Sequence, residues 1–298
     1  VVMEERRSRI DNNPGSILSE HVNASLFLNH PYRNPIIGWE HDIQALDITR
    51  ILAFYKRFYR PSNAILVVAG DITAAKLKPL AEKYYGVIPA GKQVTRTRAK
   101  EPPQKSARRV THSDKRVRQP SLRRTYLAPG AMWGETQHAY PLEVLANIIG
   151  GGASSRLYRK LVVEDKLAIS AGAYYSGDDR GPGRFVFYAS PRGEVSMAAL
   201  EKAVETEIAE LIKDGITADE LSRAKDRMQA EAIYARDSLS GGARTLGSAL
   251  AVGITVDEVE AWPERIGAVT SEQILAAARA TFDTRRSVTS QLLPETKP

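Results

Sequence analysis

Two stretches of the chain, 223 residues apart, carry the same order of apolar and polar residues. Asp47–Val68 reads DITRILAFYKRFYRPSNAILVV, and Thr270–Gln291 reads TSEQILAAARATFDTRRSVTSQ. Aligned without a gap, they pair Ile51 with Ile274, Leu52 with Leu275, Tyr59 with Phe282 and Ile65 with Val288. In each stretch a helical period is followed by a polar turn and then by a short β-rich run. The repeat predicts a structural unit of about 220 residues that is present twice; two unrelated helix–strand units are the alternative.

Further helices and strands are predicted around this repeat. In the first copy, helix Ile48–Tyr59 ends at a proline turn, a strand over Ala64–Ala69 is expected to be buried on both faces, and helix Ala74–Tyr85 follows. In the second half, the predicted helices are Tyr140–Ile149, Ser155–Val163, Met197–Lys213 and Ala218–Ser238, and the predicted strands are Ala168–Tyr175 and Arg184–Ser190.

These elements predict an α+β fold of two tandem, duplicated domains. Residues 1–100 would be the rear part of the first domain and residues 101–298 the second domain, with a linker at about 92–108. A second copy that starts near Arg108 would be nearly complete, whereas the first copy would lack about 110 residues before Val1.

The composition is that of an ordinary globular protein and excludes several functional classes. The chain has 298 residues, 43% hydrophobic and 26% charged, and no cysteine, which excludes thiol nucleophiles and cysteine-ligated zinc. No run of about 18 apolar residues is present, so no membrane span is predicted. The segment Lys92–Arg124 carries twelve basic and two acidic residues, a net charge of +10. Because it has no aromatic residue that could stack on bases, we interpret it as a solvated linker and expect no nucleic-acid partner.

Four strings of the sequence are shared with a known enzyme family. They are residues 1–6 (VVMEER), 30–38 (HPYRNPIIG), 54–71 (FYKRFYRPSNAILVVAGD) and 151–158 (GGASSRLY). In this order and spacing they resemble the pitrilysin/insulinase family of zinc peptidases, which includes the mitochondrial processing peptidases and their bacterial relatives. The resemblance covers essentially the whole chain, and it implies duplicated α+β domains of about 220 residues, as the repeat does.

The resemblance implies a Zn²⁺ site. In the family, a His-x-x-Glu-His motif supplies two histidine ligands and a glutamate that activates the bound water, and a later glutamate is the third ligand. The chain contains no such motif, which the repeat would place before Val1. The later glutamate is the second one of a Val-Val-x-Glu-Glu string, which here is Glu5. The resemblance therefore implies that Glu5 is a metal ligand; a solvated helix glutamate is the alternative.

Two positions depart from the family pattern. Many relatives carry Leu-Arg-x-x-x-x-Leu-Ala/Gly-Tyr shortly after the Ser-Ser-Arg-Leu string, and this Arg and Tyr contact the substrate backbone and the scissile carbonyl across the cavity. The aligned stretch Leu161–Ile169 has Val162 in place of the Arg and Ile169 in place of the Tyr. Neither side chain can donate a hydrogen bond, so no catalytic residue is expected in this segment.

These features together lead to one main expectation and one alternative. The main expectation is a zinc-dependent endopeptidase subunit that cleaves peptides or unfolded polypeptides inside a closed cavity. It would require a homologous partner subunit, in a heteromer, that carries the Arg and Tyr pair, and this segment alone would be inactive. The alternative is a non-catalytic scaffold subunit of the same fold. His30, His41, His112 and His138 are expected to have packing or surface roles, and the bacterial periplasm is favoured over the cytoplasm.

Overall fold

Helices make up the first part of the chain. A computed structural model describes residues 1–235 and 237–295, and within it residues 1–107 form no strand. The helices of this part are α1 (Val2–Arg6), α2 (Pro14–Leu26), α3 (Glu40–Gln44), α4 (Ile48–Phe58) and α5 (Ala74–Tyr84). A π-helical turn, Arg7–Asp11, continues α1, and the side chain of Asn13 caps α2.

A five-stranded sheet organises the second part of the chain. Its strands are β1 (Arg108–Asp114), β2 (Ser121–Ala128), β3 (Ala168–Ser176), β4 (Gly183–Pro191) and β5 (Ser287–Pro294). Their order is β1-β5-β2-β4-β3; β1 and β5 are parallel, and the other neighbours are antiparallel. The helices of this part are α6 (Ala139–Gly150), α7 (Met197–Asp214), α8 (Ala218–Ala235), α9 (Gly241–Val252), α10 (Val256–Glu260), α11 (Trp262–Ala268) and α12 (Ser271–Thr281). The predicted α+β fold is confirmed.

The main core lies between one face of this sheet and the helices. Phe282, which follows α12, contacts the rings of Tyr126, Phe185 and Phe187 at centroid distances of 5.3, 4.9 and 5.1 Å. At the end of α6, a Cβ on Gly150 would lie only 2.0 Å from the backbone nitrogen of Ala173 in β3. Gly150, the first of three consecutive glycines, therefore allows close helix–strand packing.

Helix α2 covers the opposite face of the sheet at β1 and β5. The side chains that pack there are Leu18, Val22, Leu26, Phe27, Leu127 and Val288. The first part of the chain thus shares a buried cluster with the second. Among residues 1–235 and 237–295, no helix combines the length and the apolar character that crossing a bilayer requires.

Only half of the basic segment is a linker. Residues 92–107 form neither helix nor strand, and Glu101 fastens them by accepting hydrogen bonds from the backbone nitrogens of Leu28 and His30 at 2.8 and 2.9 Å. Residues 108–124 instead enter β1 and β2, where Arg109 and Arg124 pair with Glu201 of α7. The interpretation of the whole of Lys92–Arg124 as linker is therefore wrong for its second half, because acids on α7 neutralise these arginines.

The two copies of the repeat have the same local structure. Helices α4 and α12 each have 11 residues, and their N-caps, Asp47 and Thr270, are 223 residues apart. A short 3₁₀-helix follows each at the same offset, Pro61–Asn63 and Thr284–Arg286. The predicted duplication is confirmed in these elements.

The prediction of a buried strand over Ala64–Ala69 is wrong. This segment forms no strand, and Ile65 and Leu66 are about half exposed. Its counterpart begins β5, which lies between β1 and β2. A strand exists only through hydrogen bonds to a neighbouring strand, and none of residues 1–107 forms one that could pair with it. The β-rich run therefore stays extended and exposed.

Candidate active-site elements

Glu5, the candidate ligand, lies on α1 with an exposed side chain. Its Oε1 is 2.9 Å from Nη2 of Arg9. The side chain of Glu5 is 43% exposed and is part of neither of the two buried apolar clusters formed by the described residues. The carboxylate is therefore accessible, and its role as a ligand stays a prediction.

The neighbouring Arg6 fixes the rotation of α1. Arg6 is buried, and its two Nη atoms donate to both carboxylate oxygens of Glu20 on α2, at 2.8 and 2.9 Å. Nη1 also donates to the carbonyl oxygen of Gly38 at 2.9 Å. The hydrogen bond to Glu20 raises the pKa of the Arg6 guanidinium. Because successive helix residues point about 100° apart, this bidentate pair holds Glu5 in a different direction from α2.

The repeat gives Glu5 a counterpart in the second domain. The offset of 223 residues aligns Glu5 with Met228 of α8, and Arg6 with Gln229. Gln229 donates to the carbonyl oxygen of Pro263 at 2.8 Å, so it ties α8 to the start of α11 much as Arg6 ties α1 to the segment before α3. Met228 is buried in the cluster that includes the residues of α6. By analogy, Glu5 points to the side on which α6 lies in the second domain.

The described residues do not hold a metal ion on their own. Residues 1–235 and 237–295 contain no group of three or more His, Cys, Asp or Glu side chains that could bind one. Zinc sites in proteins use at least three protein ligands, and Glu5 supplies one carboxylate. The residues of this chain that the structure describes therefore do not fit a complete zinc site.

The histidines have other partners. His30 is buried, its Nδ1 accepts from the backbone nitrogen of Tyr32 at 3.3 Å, and burial lowers its pKa. His41 is exposed beside Asp42 at 3.5 Å. The remaining two also lie near carboxylates, His112 at 3.9 Å from Asp114 and His138 at 3.6 Å from Glu135. These placements agree with the predicted packing and surface roles.

The two positions that depart from the family pattern have different environments. Val162 lies in the π-helical segment Tyr158–Glu164 and is buried in the main core, whereas Ile169 is 46% exposed on β3, an edge strand. Nη2 of Arg192 donates to the carbonyl oxygens of Val162 and Ala168 at 3.3 Å each and connects the π-helical segment to the start of β3. The side chain of Ile169 therefore lies at the surface. The side chain at position 162 is buried, so an arginine there would have its Cβ in the core.

A partly buried carboxyl group near the start of α6 is not apparent from the sequence. The indole nitrogen of Trp262 donates to both carboxylate oxygens of Glu143 at 3.1 Å. Burial raises the pKa of Glu143 to about 7, and the negative charge of Asp178 adds to the effect. The sequence shows only one acid in an apolar helix, and its partner lies 119 residues further on. A carboxyl group that titrates near neutral pH is a feature of functional and of structural sites alike.

Comparison with known proteins finds relatives along nearly the whole chain. The family model "Peptidase M16 inactive domain" matches residues 45–228. The zinc protease PqqE of Helicobacter pylori is 31% identical over 245 residues, which are 80% of this chain and 54% of that protein. The zinc protease YmxG of Bacillus subtilis is 26% identical over 287 residues, 95% of this chain and 66% of that protein. The chain thus spans between 54% and 66% of the length of these curated relatives.

Solved structures have the same fold. A protease from Helicobacter pylori superposes with a TM-score of 0.89 at 27% identity and covers 100% of this chain and 70% of its own. An M16-like peptidase from Alicyclobacillus acidocaldarius gives a TM-score of 0.84 at 19% identity, with 99% and 70% covered. The resemblance to a family of zinc peptidases is confirmed by the family model and by the curated relatives. Since the family model matches more than half of its residues, this chain belongs to the M16 family of peptidases.

Proposed function

We propose that the chain is part of a zinc endopeptidase subunit in which Glu5 is one metal ligand. The observation that carries the proposal is the placement of Glu5: an accessible carboxylate on a helix whose rotation Arg6 fixes. The corresponding position in the second domain, Met228, packs in the cluster of α6. Bound zinc would supply a Lewis acid and an activated water, and Glu5 would help to hold it.

The exposed face of α4 supports a complete first domain in the full-length protein. Ile51, Phe54 and Tyr55 are exposed, whereas the aligned positions Ile274, Ala277 and Ala278 are fully buried against the sheet and α6. The relatives are also longer than this chain. We infer that further residues supply a sheet for α4 and, with it, the histidine ligands.

The test of the metal site is the zinc content of the full-length protein. Glu5→Gln should lower the zinc stoichiometry, because a neutral amide is a poorer ligand than a carboxylate. Glu4→Gln is the matched control, since Glu4 lies on the same helix, is exposed and pairs with Arg7; it should leave zinc unchanged. Equal zinc content in both variants would exclude Glu5 as a ligand.

The second part of the proposal is a homologous partner that carries an Arg and a Tyr. Val162 and Ile169 offer no hydrogen-bond donor to a developing oxyanion, and loss of one such donor typically costs about 10²–10³ in rate. A protein preparation without the partner should therefore be nearly inactive on unfolded peptides, and the partner should restore cleavage. Full, metal-dependent activity of the unmodified protein alone would contradict the need for a partner.

A non-catalytic scaffold of the same fold is the second candidate. It is favoured by the family model, whose description is that of an inactive domain, and by Val162 and Ile169. The zinc measurement separates the two candidates. A full-length wild-type protein that binds no zinc when Zn²⁺ is supplied would favour the scaffold.

A further inference from the structure

A polar cavity of about 380 Å³ lies where α6 ends. Its walls come from residues 154–156, the π-helical segment Tyr158–Glu164, α7 and α8. Ile148 and Ala224 contribute apolar surface. The volume is within the range of small-molecule sites, about 300–1,000 Å³. Glu5 and α4, which carry the proposed function, do not line this cavity.

Several charged side chains that line this cavity are neutralised by one another. Arg156 donates to both carboxylate oxygens of Glu220 at 2.9 and 2.7 Å. Arg223 pairs with Asp219 at 2.8 Å. Lys160 lies 3.8 Å from Glu164. These pairs account for the polarity of most of the wall and leave little charge for a ligand.

Two largely buried polar groups at the cavity lack a close partner among the described residues. Glu207 is only 8% exposed, and no cationic group of the described residues lies within 4 Å of its carboxylate. Burial raises its pKa and the negative charge of Glu210 adds to this, whereas the positive charges of Lys160 and Arg156 oppose it. Ser155 is 2% exposed, and its Oγ has no hydrogen-bond partner among the described residues. Buried polar groups are nearly always satisfied in native proteins, so both groups point to a ligand.

A positive charge at the same cavity also lacks a counter-charge. Arg227 donates to Oδ1 of Asn147 at 3.1 Å, to the carbonyl oxygen of Asn147 at 3.0 Å and to Oγ of Ser154 at 3.2 Å. All of these acceptors are neutral, and no carboxylate of the described residues pairs with it. The cavity thus has two acids without a paired cation, the buried Glu207 and the exposed Glu210, and one base without a paired acid, Arg227. The described residues offer no cluster for a metal ion.

We propose that this cavity binds a small zwitterion, a free amino acid or a dipeptide. The ammonium group would be accepted by Glu207, with Ser155 as a further hydrogen-bond partner, and the carboxylate would pair with Arg227. A ligand with a single charge would leave either the buried Glu207 or Arg227 without a counter-charge, and a buried charge without a partner is costly. The proposal does not depend on zinc or on peptide cleavage.

The direct test is to measure, by calorimetry, the binding of alanylalanine to the 298-residue chain without added metal. Saturable binding is expected. The N-acetylated dipeptide lacks the ammonium group and the dipeptide amide lacks the carboxylate, so each should bind at least tenfold more weakly, the loss expected for one charge-assisted hydrogen bond. Equal affinity of the three compounds, or no saturable binding below about 10 mM, a Kd weaker than any ordinary small-ligand site, would overturn the proposal.

Variants identify the residues that carry the site. Glu207→Gln should weaken alanylalanine binding at least tenfold and abolish the preference over the acetylated form. Ser155→Ala should weaken it severalfold, and Glu231→Gln, an exposed acid on α8 outside the cavity, should have no effect. Both cavity variants should unfold at the wild-type temperature or above it, because Ser155→Ala removes an unsatisfied buried hydroxyl and Glu207→Gln removes a buried charge. Unchanged affinity in Glu207→Gln would refute the assignment, and Ser155→Ala decides it if Glu207→Gln does not fold.

Discussion

Helices α4 and α12 are the same element in two different surroundings. Both have 11 residues, an N-cap side chain and a following 3₁₀-helix at identical offsets. In α12 and just beyond it, Ile274 and Phe282 are buried, at 1% and 8% exposure; their counterparts Ile51 and Tyr59 are 47% and 68% exposed. The difference shows that caps, helix and turn form locally, whereas burial and the following strand require a sheet.

The largest expected effect is the unequal cost of removing the aligned aromatic residues. Phe282→Ala should lower the free energy of unfolding by about 3–5 kcal/mol, because its ring contacts three aromatic rings of the core. Tyr59→Ala should change it by less than about 1 kcal/mol, as at most exposed sites. Urea unfolding of both variants measures this. Similar losses would mean that the two copies are packed alike in this chain.

A smaller expected effect is a pH dependence of the free energy of unfolding, which comes from Glu143 in the second domain. The contact between Glu143 and Trp262 ties α6 to α11, and the position aligned with Trp262 is Trp39, at the N-cap of α3. Burial raises the pKa of Glu143 to about 7. The folded state therefore holds a proton that the unfolded state has released, and the contribution of Glu143 to stability falls as pH rises from about 4.5 to 7.

Glu143→Gln should remove this pH dependence and keep the indole hydrogen bond. We expect the variant to be more stable than wild type by about 2–3 kcal/mol at pH 8, and the difference should shrink toward pH 5. Unfolding free energies at both pH values test this, with Trp39→Phe as a control that should leave the pH profile unchanged. A stability difference independent of pH would contradict a raised pKa.

The smallest effect concerns the helix caps. Oγ1 of Thr270 accepts from the backbone nitrogen of Gln273 at 3.3 Å, and Oδ1 of Asp47 accepts from that of Arg50 at 2.8 Å. Thr270→Ala should cost about 1 kcal/mol of global stability. Asp47→Ala should alter the helicity of α4 but barely change cooperative unfolding, because α4 is not packed on the core. Circular dichroism with urea titration distinguishes the two outcomes, and equal shifts of the midpoint would break the comparison.

The sequence allowed most elements to be predicted, because their signals are local. Strand Arg184–Ser190 and helix Met197–Lys213 were predicted to within one residue at each end of the observed Gly183–Pro191 and Met197–Asp214. The prediction of a strand over Ala64–Ala69 is wrong because a strand needs a neighbouring strand to pair with, and the segment's own sequence does not show whether one is present.

The candidate site shows the same limit. Glu5 was identified through its string, and its role remains a prediction. Glu143 and Glu207 were missed, because each reads as an ordinary helix acid until distant residues are placed around it. Ser155 lies within a recognised string, but nothing in the sequence indicates that its hydroxyl is buried without a partner.

Hydrogen exchange of the 298-residue chain tests most directly that one copy is packed and the other is not. Amides of α12 should exchange only with global unfolding, because Ile274, Ala277 and Ala278 are fully buried. Amides at the aligned positions of α4 should exchange through local opening, faster by about three orders of magnitude or more, since opening energies range from about 0 up to the global value. Equal protection of the two helices would contradict the account.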